Sequence, residues 1–161
     1  VGADSMIIYD TYLDTSIFAN ENGEAPQIAD ITFHPSGEKL YMLCHNLDSL
    51  FTYELTTPWD ITTLSLTDSL DISQDTDMSA NSLTFNDTGT KLYIGRMDDV
   101  TLTLSVSQFN LDTPWDVSTK TYEHALDTTT PFGMNWDVAF KPDGLRFYTV
   151  GAGEILQYDL K

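Results

Sequence analysis

Three groups of side chains carry the chemical potential of this sequence. The first is a run of carboxylates, Asp71, Asp75 and Asp77, written D-x-S-x-D-x-D. Oxygen ligands at alternate positions suit Ca²⁺, but the run lacks the glycine at its sixth position and the bidentate glutamate at its twelfth. A solvated acidic loop is the competing reading. The second group is the loop holding Phe132, Met134, Asn135 and Trp136, whose unrepeated tryptophan offers a flat face to a sugar or a partner chain. Plain packing competes with that reading. The third group sits in short connections: His45, Asn46 and Asp48, then Arg96, Asp98 and Asp99. The three histidines, His34, His45 and His124, are scattered and assemble no metal triad. No G-x-S-x-G, H-E-x-x-H or phosphate-cradling glycine loop occurs, so no catalytic residue is assigned.

These groups hang on one unit that the chain writes three times: FHPSGEKLYML at Phe33–Leu43, FNDTGTKLYIG at Phe85–Gly95 and FKPDGLRFYTV at Phe140–Val150. An aromatic closes one apolar stretch, a polar turn ends in Gly37, Gly89 or Gly144, and a second stretch carries Tyr41, Tyr93 or Tyr148. Glycine supplies the positive φ of a tight hairpin, so each unit reads as strand–turn–strand. The glycines stand 52 and 55 residues apart, and each full repeat holds four strand-like segments, the pattern of a propeller blade. In EKLYML and TKLYIG both alternating faces are apolar, as a sheet covered on both sides requires. No segment shows a helical period. The fold expected is therefore all-β: antiparallel four-stranded blades, with blade 1 over residues 28–73, blade 2 over 74–128 and blade 3 over 129–161. Blade 3 lacks its outer strand. Residues 1–27 supply an orphan strand, Met6–Leu13, in register to complete a blade, and the ring closes with a second copy or with neighbouring blades of a longer chain.

Composition bounds the partners. The 161 residues hold 25 acidic and 7 basic side chains, a formal charge of −18, which disfavours nucleic acid and anionic membranes. Nineteen of the 25 acids are Asp, as turn-rich β proteins prefer, although a saline setting would also favour such acidity. Cys44 is the single cysteine and ends an apolar strand, which points to a buried, inert thiol. No apolar run is long enough for a helical membrane span. Asn86-Asp87-Thr88 matches a glycosylation sequon but coincides with a repeat turn.

The F-x-P-x-G-x-x-L/F-Y unit resembles the propeller repeats of WD40-like and YVTN-like proteins. A second signature, TPWDITT at Thr57–Thr63 and TPWDVST at Thr113–Thr119, resembles the Thr-Pro-Trp-Asp repeats of tailed-phage structural proteins and aquatic bacterial surface proteins. Recurrence argues that Trp59 and Trp115 cover the blade, that each proline fixes a bend, and that Asp60 and Asp116 bond the turn backbone. The resemblance implies a non-enzymatic structural or receptor-contacting module of a virion or cell surface, extracellular, contacting its own kind or other surface proteins. A glycan-binding propeller, assisted by Ca²⁺, is the second expectation. A calcium-dependent propeller hydrolase is the third; no matched general base accompanies the acids.

Overall fold

A computed structural model describes residues 25–73, 79–97, 104–127, 135–141, 145–151 and 154–160. Their strands are β1 (Ile28–Phe33), β2 (Lys39–Cys44), β3 (Ser49–Leu55), β4 (Leu64–Asp71), β5 (Ser79–Phe85), β6 (Lys91–Met97), β7 (Leu104–Leu111), β8 (Lys120–Asp127), β9 (Asn135–Phe140), β10 (Arg146–Gly151) and β11 (Glu154–Asp159). They form three antiparallel sheets, ordered β1-β2-β3-β4, β5-β6-β7-β8 and β9-β10-β11. The third sheet has three strands among the described residues. The strand expected at Met6–Leu13 lies outside them, as does the Gly144 turn.

Each sheet is a meander, its strands in chain order and each antiparallel to the next. Gly37 and Gly89 take φ of +75° and +66°, and each N–H bonds back to the carbonyl of His34 or Asn86 at 2.8 and 3.0 Å. The middle strands β2 and β6 are buried on both faces, which matches their lack of apolar–polar alternation. Each first strand carries a bulge, at Ala29, Asn81 and Trp136 respectively. Those three positions are the ones that the repeats align.

The sheets stack face to face. β1 lies beside β5 and β5 beside β9, so the first strand of each blade is the innermost. Between blades 1 and 2, Tyr41, Leu43 and Leu50 pack against Leu83, Leu92, Ile94 and Phe109. Between blades 2 and 3, Tyr93, Val106, Val138 and Phe147 do the same. Aromatic rings run through this second seam, with Tyr93 stacked on Phe140 at 3.7 Å and Phe147 on Tyr158 at 4.6 Å. Gly95 leaves room at this seam: a Cβ there would overlap the Ser82 hydroxyl of its own blade and press on Val138 of the next. Polar ties cross the first seam. The Leu83 N–H donates to the Asp30 carboxylate at 2.7 Å, and the Tyr41 hydroxyl donates to the Trp115 carbonyl at 2.5 Å.

Candidate functional site

The Pro-Trp-Asp turns follow the third strand of blades 1 and 2, and each locks onto the hairpin turn of its own blade. The Trp59 N–H donates to the Gly37 carbonyl at 2.9 Å, and the Trp115 N–H to Gly89 at 2.8 Å. Both tryptophans have left-handed backbones, φ +67° and +64°, which is costly for a bulky residue and survives where the surroundings over-determine it. The cause is visible in the glycines. A Cβ on Gly37 or Gly89 would overlap the indole of Trp59 or Trp115, so the ring closes onto a backbone with no side chain in the way.

The aspartates cap the residues just after them. The Asp60 carboxylate accepts from the Thr62 N–H at 3.0 Å and hydroxyl at 2.6 Å, and Asp116 accepts from Ser118 at 3.1 and 2.6 Å. Each opens a single 3-10 turn, Ile61–Thr63 or Val117–Thr119, for which the sequence carries no helical period. The Thr62 hydroxyl and N–H hold the Asp60 carboxyl below its ordinary range. The roles expected of these residues, turn bonding by Asp and blade cover by Trp, are what the geometry displays.

At the opposite end, several candidates come together. Residues 45–48 form the β2–β3 turn, with Asp48 at φ +42°. The Asp48 carbonyl accepts from the Ile72 N–H at 2.8 Å, and the Ile72 carbonyl accepts from Arg96 Nη2 at 2.8 Å. One carbonyl-to-amide step thus links the blade 1 turn to blade 2. Arg96 stands differently from the surface contact expected of it: it is fully buried. Strand β6 continues to Met97 and carries the guanidinium onto the face where its counterpart Cys44 is also buried. Arg96 is therefore a strut between blades. Asn46 is exposed yet occupied, accepting from the Gln27 N–H at 2.8 Å and donating to the Ala25 carbonyl at 3.2 Å. His45 Nδ1 and Asp48 Oδ1 are buried atoms with no hydrogen-bond partner among the described residues. Cys44 is buried, and burial raises its thiol pKa, as an inert thiol requires.

Of the carboxylate run, Asp71 ends β4 and is held low by the Ser73 hydroxyl and N–H, while Asp75 and Asp77 lie outside the described residues. So do Asp98, Asp99, Phe132 and Met134. Among the described residues no group of three His, Cys, Asp or Glu side chains could hold a metal ion. Asn135 and Trp136 open β9, with Trp136 inside the strand, at its bulge, rather than ahead of it. The sequon side chain Asn86 is engaged in its own turn, donating to Thr88 and Thr90 at 3.0 Å. A cleft of about 270 Å³ lies beside the blade 1 turn, lined by Glu38, Lys39, Glu54, Leu55, Thr56 and Pro58. Its lining includes two carboxylates, an ammonium and the Thr56 hydroxyl.

Sequence reasoning missed the interblade acceptors, Asp30 and the Ile72 and Trp115 carbonyls. Asp30 carried a faint signal, being one acid inside the otherwise uncharged strand IADITF.

No protein-family model matches the sequence, and no curated protein matches it. Solved structures do. The β-propeller domain of Myceliophteria thermophila Cps50 (Swd1) aligns over 83% of this chain and 40% of its own, at 12% identity and a TM-score of 0.58. The periplasmic gluconolactonase of Pseudomonas aeruginosa aligns over 84% and 40%, at 13% identity and 0.56. The C-terminal WD40 domain of Sif2 aligns over 83% and 34%, at 10% identity and 0.53. At such identities the likeness shows the fold: this chain is a run of three β-propeller blades. It spans between 34% and 40% of the propeller chains named here.

Proposed function

We propose that the chain is a non-enzymatic interaction module, presenting the loops at one end of rigid blades to a partner protein in a virion or on a cell surface. One observation carries the reading. The recurrent residues with chemical potential, Trp59, Asp60, Trp115 and Asp116, are each engaged in closing their own blade. Recognition is left to positions that differ between repeats, among them His45, Asn46 and Asp48 in the β2–β3 turn. Propellers act by holding such loops on a stiff frame. The likeness to WD40 domains supports protein contact, and the resemblance of the Pro-Trp-Asp segments to phage repeats supports a virion or extracellular setting.

The gluconolactonase neighbour supplies the sharpest test. Incubation with glucono-δ-lactone is expected to show no hydrolysis above the uncatalysed rate, and saturable turnover would overturn the reading. Immunogold labelling of particles and cells tests the setting, with decoration of an outer surface expected. A second reading, a glycan-binding propeller using Asn135 and Trp136, is favoured by Trp136 being the aromatic at the bulge position that Ala29 and Asn81 hold in the other blades. A glycan array run with Ca²⁺ and again with EDTA decides it: silence in both arms removes it.

A further inference from the structure

The two ends of the blade stack display residues whose counterparts inside it are buried. Ile31, Leu83 and Val138 occupy one position of the innermost strand; Ile31 is 51% exposed, whereas Leu83 is 4% exposed against blade 1. Leu50, Val106 and Ile155 occupy one position of the third strand, paired with Leu43, Gly95 and Val150. Leu50 is fully buried against blade 2, and Ile155 is 76% exposed. Trp115 lies under blade 1, with the His34 ring at 4.8 Å and the Tyr41 hydroxyl on its carbonyl. Trp59 has neither contact among the described residues and is 59% exposed. The free face of blade 3 has a depression of about 180 Å³ lined by Ala139, Tyr148, Thr149, Val150 and Ile155.

We propose that blade 3 seats head to tail against blade 1 of a second copy of this chain, with the Tyr148 hydroxyl donating to the carbonyl of that copy's Trp59 and Ile155 meeting its Ile31. The argument is continuity with an interface already present. Leu50 and Leu83 share one cluster across the blade 1–2 seam, and Ile155 and Ile31 are their counterparts. Tyr41 and Trp115 make the hydrogen bond, and Tyr148 and Trp59 are theirs. Donor and acceptor thus stand at opposite ends of the same molecule, the Tyr148 oxygen accepting from Arg146 and its O–H proton remaining to be donated, which is the condition for a heterologous contact. The middle of the blade 1 face, at Leu40, Met42 and Tyr53, is already buried, so the seat is the rim on which Ile31 and Trp59 stand. A charge of −18 on each copy opposes association at low ionic strength, so the contact strengthens with salt.

This inference deepens the interaction-module reading and rests on it. Light scattering in 0.5 M NaCl is expected to give about twice the 18.0 kDa of one chain, or a higher multiple. Ile155→Lys is expected to return it to the mass of one chain without altering the far-UV spectrum, since that side chain is exposed. A wild-type mass of 18.0 kDa overturns the proposal, and so does association that Ile155→Lys leaves intact. Orientation is read separately by mixing Ile31→Cys and Ile155→Cys copies with a short bis-maleimide, Cys44 being buried. Cross-linking in the mixture alone supports the head-to-tail contact; cross-linking of Ile155→Cys copies with each other shows a face-to-face pair and overturns it. Lactone turnover by an associated protein would sink the module reading alone, whereas an inactive monomer would sink only this contact.

Discussion

Trp115 and Trp59 sit in the same turn of consecutive blades, one roofed by its neighbour and the other bare. Their internal geometry is nevertheless the same: φ of +64° and +67°, an N–H to glycine bond of 2.8 and 2.9 Å, and an aspartate capping a 3-10 turn. From the neighbouring blade come the His34 ring, edge-on to the indole, and the Tyr41 hydroxyl on the carbonyl. Two devices are therefore separable. The Pro-Trp-Asp turn closes its own blade, and the seam joins one blade to the next. A bare end keeps the first and lacks the second.

The largest expected effect tests whether the turn is self-contained. Gly37→Ala and Gly89→Ala each force a Cβ into the indole at a left-handed position, which costs about 2–5 kcal/mol. Equal losses in urea unfolding would confirm that the bare turn is as tightly built as the roofed one. A Gly37→Ala loss well below that of Gly89→Ala would mean that the neighbouring blade, rather than the turn, holds the indole in place.

The seam should behave in the opposite way, with equivalent positions giving unequal costs. Leu83→Ala empties a buried site between blades and is expected to cost about 2–4 kcal/mol. Ile31→Ala, its half-exposed counterpart, is expected to cost under about 1 kcal/mol at concentrations where the chain is monomeric. Comparable losses at the two positions would break the distinction between a filled and an open face.

The same distinction explains what the sequence disclosed. Hairpins and blade count were legible because Gly37 and Gly89 sit at turns whose φ only glycine adopts readily, and because the aromatics recur in step with them. Even the equivalence of Trp136 with Ala29 and Asn81 was readable, since each falls at the bulge of an inner strand. Arg96 was not. Its burial depends on the Ile72 carbonyl, which approaches through the fold from the preceding blade, and nothing local in GRMDD separates a strut from a surface charge. The left-handed Trp59 and Trp115 were equally hidden, because each depends on a glycine 22 or 26 residues earlier that leaves room for the ring.

Alkaline titration gives the next effect. Burial, then the charge of Glu123, pushes the Tyr93 phenol up from 10.0 to about 12. The folded chain therefore keeps a proton that the unfolded chain releases above pH 10, and the stability this confers is present below pH 10 and lost as pH rises toward 12. The slope in that window is about 1.4 kcal/mol per pH unit for one such tyrosine. Tyr93→Phe should reduce the fall of urea midpoints between pH 9 and 12 by that slope, the rest belonging to Tyr41 and Tyr53, whose phenols burial also raises. An unchanged slope in Tyr93→Phe would mean that the seam between blades 2 and 3 does not shield this phenol.

The smallest effect returns to the turn. Asp116→Ala removes the acceptor of the Ser118 N–H and should cost about 1 kcal/mol, as loss of a helix cap does. Asp60 caps the bare turn with the same two bonds, so Asp60→Ala should lower the melting temperature as far as Asp116→Ala does. Its carboxyl is depressed by Thr62 in the folded chain, so the stability it adds is present above its ordinary range and fades as pH falls through its lowered value. Asp60→Asn retains an acceptor oxygen and should recover most of the loss, with the acid dependence removed. If Asp60→Ala were silent while Asp116→Ala was not, the cap would matter only under a roof, and the turn and the seam would be one device after all.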